Sequence, residues 1–303
     1  MEKLRIALDW TPNTNHTGFF VASSLGFYAE SNLEVEIVTP EPDNYALTPA
    51  KKLELREVDF AVAPIESAIS LNTKPNRVAV KAIAALLQED LSAIAALKQS
   101  GLEAPKDLDG KTYASYKARY EDDIVRKMTV NDGGQGNIAI VYPDKLGIWD
   151  TLLAKKADAT WIFINWEGVE AQTQGVELNY FKLSDYGIPY SYSPVIIALD
   201  EKIKQKRAVY QAFLNATKKG FLYAKQFPAE SVAILAEHVP AKDRMNIDLQ
   251  QSQVYTANYY GDEAQWGKMA MPAVENFITW LKTNSSETSS IEAATVCTNE
   301  LLD

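Results

Sequence analysis

The chain opens with a short apolar run over residues 4–8. An amphipathic stretch follows over 17–28, and a second extended run over 35–38. Helical spacing over 45–55, a strand pattern over 59–63, a short helix over 65–71 and an extended run over 78–86 come next. Strands that alternate with helices in this way predict an α/β fold with a parallel sheet covered on both faces. Residues 92–97 read as an extended crossing segment. A second series then begins, with strands at 112–115, 138–142 and 160–164 and helices at 122–130 and 146–153. Beyond Pro194 the pattern is extended over 195–199. Long helical stretches follow at 203–226, 229–238, 249–260 and 273–281, and 284–290 reads as a polar linker or tail. Two such series, joined near 88–92 and 191–195, predict two lobes, each with a helix-covered sheet. The first would comprise residues 1–90 and 195–303, closed by the C-terminal helices; the second would comprise 91–194. The two crossing strands would form a hinge, with a small ligand in the central cleft.

Composition narrows the classes. Among 303 residues, 47% are hydrophobic and 23% charged, which suits an ordinary core and argues against disorder. A net charge of −10 argues against nucleic acid or an anionic membrane as partner. Cys297 is the only cysteine, so neither an internal disulfide nor a cysteine metal cluster is expected, and it reads as an incidental thiol in a polar tail. His16 and His238 are the only histidines, and no metal is expected. No run approaches the ~20 apolar residues of a membrane span, so no membrane insertion is expected. No apolar leader region follows Met1. The expectation is a cytoplasmic protein if Met1 is the native start, and a periplasmic one if a leader was removed.

The chemistry concentrates after the strands. The segment Leu8-Asp9-Trp10-Thr11-Pro12-Asn13-Thr14-Asn15-His16 follows the first strand and precedes a helix. Ligands of α/β proteins bind just past the carboxyl ends of strands. Trp10 offers a face for stacking, and Asn13 and His16 offer polar contacts. Glu167, with Asn165 and Trp166, follows the strand at 160–164, where a helix N-terminus favours a carboxylate and an exocyclic amine could donate to it. Its alternative is a helix cap. Glu66 and Ser67 end the strand begun at Asp59, with contact and capping equally open. Tyr186, Tyr190 and Tyr192, interleaved with Ser191 and Ser193, suit a wet wall, at least one of them as hinge surface. Gly133-Gly134-Gln135-Gly136 lacks the Lys-Ser/Thr ending of a P-loop and reads as a helix end and turn. Lys117 and Arg119 are weak phosphate candidates against ordinary surface solvation.

Four segments carry a resemblance. The Leu8–His16 string resembles the opening of the formylaminopyrimidine-binding proteins and the fungal thiamine-pyrimidine synthases, one family with the sulfonate-binding proteins. Val58-Asp59-Phe60-Ala61-Val62 with Glu66-Ser67, Phe163-Ile164-Asn165-Trp166-Glu167-Gly168-Val169-Glu170, and Asp185-Tyr186-Gly187-Ile188-Pro189 with residues 190–194 resemble three further family segments. The resemblance covers roughly residues 3 to 280 and implies a type II periplasmic-binding-protein-like fold. It implies a thiamine-precursor-like aminopyrimidine bound at Trp10, Asn13, His16, Glu66, Ser67, Asn165, Trp166, Glu167, Tyr190 and Tyr192, with a transporter partner if the protein is secreted. A monomer is expected.

The synthases of this family consume an active-site histidine and a bound pyridoxal phosphate. The positions that would carry their lysine and histidine are Ala63 and Ser67, and the cysteine run has no counterpart in 187–194. A Schiff base needs a lysine amine. The expectation is therefore a binding protein with no cofactor and no catalytic residue. A hydroxymethylpyrimidine phosphate synthase with an atypical site, and a binder of sulfonates or other small anions, stand as alternatives. If the hinge closes on ligand, small-angle scattering should show a more compact bound form. An unchanged profile at saturation would count against closure.

Overall fold

The computed structural model describes residues 1–143, 148–287 and 289–302. The chain divides into two compact units, residues 1–90, 191–274 and 291–303 in the first and 91–190 and 275–290 in the second.

The first unit holds β1 (Glu2–Ala7), β2 (Leu33–Val38), β3 (Phe60–Ala63), β4 (Val80–Ala85) and β10 (Val195–Leu199), in the order β2-β1-β3-β10-β4. β3 and β10 are apolar and buried along their whole length, as central strands must be when both faces are covered. β2 lies at an edge and keeps charged residues at alternate positions. The helix Thr17–Ser24 packs on the helix Arg207–Gln226 at glycines. A Cβ on Gly220 would lie 2.0 Å from the Gly18 carbonyl oxygen, and one on Gly18 would lie 2.1 Å from the Phe221 ring. This close approach holds the start of the first helix, and with it the loop after β1.

The second unit holds β5 (Ser92–Leu97), β6 (Thr112–Ala114), β7 (Ala139–Val141), β8 (Ala159–Phe163) and β9 (Leu178–Phe181), in the order β7-β6-β8-β5-β9. β6 runs parallel to β7 and β8.

Several elements differ from the expectation. Each sheet is mixed: β10 is antiparallel to β3 and β4, and β5 is antiparallel to β8 and β9. Both strands begin just after the chain passes from one unit to the other, so neither follows a crossover helix of its own sheet. The stretch at 17–28 is two helices, Thr17–Ser24 and Phe27–Glu30, separated at Gly26 with φ +78°. The pattern at 45–55 yields a helix only from Pro49 to Glu54, where the Thr48 hydroxyl caps the Lys51 N–H at 3.2 Å. Strand β9 lies at a sheet edge, with too little apolar alternation to be read from sequence. Of the helix expected at 146–153, Ile148–Leu153 is observed and 146–147 lie outside the described residues.

The C-terminal expectation needs the largest correction. Residues 275–290 belong to the second unit, not the first, and 284–290 is no mere tail. Glu287 is 1% exposed, accepts from the Tyr120 hydroxyl at 2.6 Å and pairs with Arg119 at 3.1 Å. The Phe277 ring packs 5.1 Å from that of Tyr190. Cys297 is likewise buried, in a segment whose Thr298 N–H donates to Ala82 of β4 at 2.9 Å.

Candidate functional site

In the first unit β1, β3 and β4 run in one direction and β10 opposes them. The segments after β1 and β3 and the one before β10 therefore lie at one edge of the sheet. The loop after β1 is built by its own polar groups. Asn13 N–H donates to His16 Nδ1 at 3.3 Å, which leaves the ring proton on Nε2, 2.7 Å from Asp9 Oδ1. Asn13 Nδ2 donates to Thr11 O at 3.0 Å, and Asn13 Oδ1 accepts from the Asn15 N–H at 2.8 Å. His16 is 0% exposed and Asn13 is buried. Both, expected at the ligand, are committed to shaping the loop that presents Trp10.

Trp10 is half-buried, its ring 5.3 Å from that of Tyr45 and tilted by 54°. Around this pair stand Thr11, Glu41 and Asp243, which the sequence reading did not single out. Burial, then the charges of Glu41 and Asp243, push the Tyr45 phenol up to about 12, opposed by a hydrogen bond with Thr11. Burial also raises the Asp243 carboxyl. Asp243 lies more than 230 residues from Trp10 in the chain, on the short helix Ala241–Asn246. No local pattern could have joined them.

Glu66 is buried in the first turn of the helix Ile65–Thr73, and Ser67 is half-buried beside it. Tyr192 does not form a wet wall, since its hydroxyl accepts from the Ala270 N–H at 2.9 Å and the residue is buried.

In the second unit the parallel strands β6 and β8 bring residues 115–118 and 164–168 to one edge. Residues 164–168 form a single π-helical turn, Ile164–Gly168, an irregularity found often at functional sites. Glu167 is 8% exposed, and its Oε2 accepts from the Phe163 N–H at 2.9 Å, so the carboxylate caps its own turn. The Tyr116 phenol is raised well above its ordinary value by burial, then by the charges of Glu167 and Glu121. Glu121 accepts from Tyr113 Oη at 2.7 Å, Tyr116 N at 3.1 Å and Ala118 N at 3.3 Å, and burial raises its own carboxyl. The Glu121 carboxylate thereby fixes the 115–118 loop. Asn165 and Trp166, in the same turn, are buried. Tyr190 lies between the rings of Trp161, at 5.3 Å, and Phe277.

The weak phosphate candidates have partners of their own. Arg119 pairs with Glu287, and Lys117 Nζ sits 5.5 Å over the Tyr142 ring. The glycine-rich 133–136 turn does hold an anion, but an internal one. The N–H groups of Gln135 and Asn137 donate to the Asp109 carboxylate at 2.6 and 2.8 Å.

Among the described residues no helix is long and apolar enough to cross a membrane, and no cluster of three or more His, Cys, Asp or Glu side chains could hold a metal.

Two α/β units with mixed, helix-covered sheets and polar groups at the strand ends define a periplasmic-binding-protein fold. The alkanesulfonate-binding protein SsuA of Xanthomonas axonopodis pv. citri, bound to MOPS, superposes with a TM-score of 0.71 at 12% identity, over 98% of each chain. Within that fold class, the chain belongs to the NMT1/THI5-like family, whose model matches residues 13–231. A formylaminopyrimidine-binding protein of Halalkalibacterium halodurans is 24% identical over 290 residues, 93% of this chain and 85% of the relative. A 4-amino-5-hydroxymethyl-2-methylpyrimidine phosphate synthase of Legionella pneumophila is 25% identical over 245 residues, 78% of this chain and 74% of the relative.

The synthases raise the question of a pyridoxal phosphate site. The residues here do not fit one at the position their lysine would take. Ala63 ends β3 as a buried methyl group, and Ser67 stands where an imidazole would be needed.

Proposed function

We propose that this protein binds an aminopyrimidine of the thiamine-precursor class. Each unit offers one candidate contact: the Trp10 indole can stack on such a ring, and the Glu167 carboxylate can accept a hydrogen bond from its exocyclic amine. The observation that carries the reading is the position of Glu167, a carboxylate held by the Phe163 N–H at the carboxyl end of β8 with the Tyr116 phenol beside it. A carboxylate offers several acceptor sites on its two oxygens, so one that holds its own turn can also accept from a ligand amine. The name of the Halalkalibacterium relative supports the same ligand class.

Electrostatics favour this ligand over a sulfonate. In the first unit Asp9, Glu41 and Glu66 follow β1, β2 and β3, and Asp243 stands with Glu41 near Tyr45; in the second, Glu121 and Glu167 follow β6 and β8. Carboxylates so placed repel an anion and attract an amine or a protonated ring nitrogen. An ABC-type import permease as partner belongs to the same reading, in keeping with the binding-protein fold.

Calorimetry with 4-amino-5-hydroxymethyl-2-methylpyrimidine, its N-formylated relative and an alkanesulfonate tests the proposal. The expected result is heat from a pyrimidine and none from the sulfonate; the reverse pattern overturns it. Pyridoxal phosphate should leave no visible absorbance band after dialysis. A retained band that borohydride converts into a stable lysine adduct would move the reading to a synthase.

A further inference from the structure

At the edge of the first unit's sheet opposite Trp10, the start of β4 and the end of β10 border a pocket of about 430 Å³. That volume suits a small metabolite. A six-residue strand separates the two edges by roughly 20 Å, so the pocket is distinct from the residues assigned to the pyrimidine.

Its lining runs against the charge of the chain. Arg77, Lys81, Lys204 and Arg207 face only two carboxylates, Asp200 and Glu300, in a protein of net charge −10. Lys204 lies 2.6 Å from Asp200, and Arg207 lies 3.4 Å from Glu300. Both carboxylates are thus matched, and the excess positive charge falls on Arg77 and Lys81. Lys81 Nζ donates to the Ala294 carbonyl at 2.5 Å, a contact that orients the ammonium without neutralising it. Arg77 is exposed at the rim and, among the described residues, forms no ion pair.

Asn72 borders the same pocket and is 7% exposed. Its Nδ2 donates to Ala68 O at 2.9 Å and Val80 O at 2.8 Å, which ties the helix Ile65–Thr73 to the start of β4 and fixes that wall of the pocket.

We propose that this pocket binds a small phosphate ester, with the phosphate on Arg77 and Lys81. The guanidinium suits a phosphate because it presents parallel N–H donors in one plane.

Calorimetry with glycerol 3-phosphate is the test, on the full chain. The parent should bind with a Kd below about 1 mM, weakening as salt is raised. Arg77→Ala should lose about tenfold in affinity or more, and Lys81→Ala should do the same; a thermal melt checks that each variant folds. Trp10→Ala should bind glycerol 3-phosphate as the parent does. Absence of binding at several times that concentration overturns the proposal. So does parental affinity in both cation variants, or loss of binding in Trp10→Ala. None of these outcomes bears on pyrimidine binding, which is measured separately.

Discussion

Glu167→Gln is expected to weaken binding of 4-amino-5-hydroxymethyl-2-methylpyrimidine by roughly 10- to 150-fold, a loss of about 1.5–3 kcal/mol. The amide keeps one carbonyl oxygen, which can go on accepting the Phe163 N–H that now bonds Glu167 Oε2 at 2.9 Å. The π-helical turn should therefore survive. What changes is the other half of the group, where an NH2 would face the amine of the ligand, donor to donor. The effect is read as affinity by calorimetry, with a thermal melt to check that the variant folds. Trp10→Ala should cost a comparable amount through lost stacking and burial, although it also removes the ring packed 5.3 Å from Tyr45. If both variants bind as tightly as the parent in calorimetry, the assignment of these two residues to the ligand fails.

Gly220→Ala should destabilise the first unit by about 3 kcal/mol or more. The added methyl would lie 2.0 Å from the Gly18 carbonyl oxygen and 2.9 Å from Ala22 Cβ. The first of these is backbone, so no rotamer change relieves the overlap and the two helices must move apart. Gly18→Ala should cost less, because the atoms its Cβ meets belong to the Phe221 ring. That ring is buried, however, and packs edge-on against Phe19 and Tyr260 at 5.5 and 4.9 Å. For a unit of this size the Gly220 change corresponds to a fall in Tm of roughly 6–12 °C. Because the Thr17–Ser24 helix directly follows the Trp10 loop, separating the helices should also weaken pyrimidine binding in protein that remains folded. A Gly220→Ala protein with the parental melting curve would contradict the close helix approach.

The two predictions differ in how far sequence could anticipate them. Glu167 and Trp10 stand out as candidates in the sequence because each follows an apolar, strand-like run and precedes a helical pattern. Strand ends are where an α/β fold displays polar groups. Gly220 was not legible. A glycine within a helical pattern reads as a modest local cost, and only the opposing helix shows why a larger residue is excluded.

Polar partners followed the same rule. Asn13 and His16 were recognised as unusual, yet their hydrogen bonds to one another and to Asp9 depend on a loop conformation that residue types do not specify. Arg119 seemed available to a phosphate because its counter-charge, Glu287, comes from a segment far along the chain. The neighbouring Tyr120 meets that same carboxylate across 167 residues. Tyr45, Glu41 and Asp243 around Trp10 were missed for the same reason.

The sequence by itself determined the alternation of strands and helices, the two-unit α/β class and the strand ends at which chemistry gathers. Hydrophobic periodicity records which face of an element is buried, and that is settled locally. Only the tertiary structure decided that β5 and β10 run against their neighbours, that residues 275–290 join the second unit, and which polar side chains serve the fold. These depend on which buried surface meets which, and on pairing every buried donor and acceptor, conditions met only when residues distant in the chain come into contact.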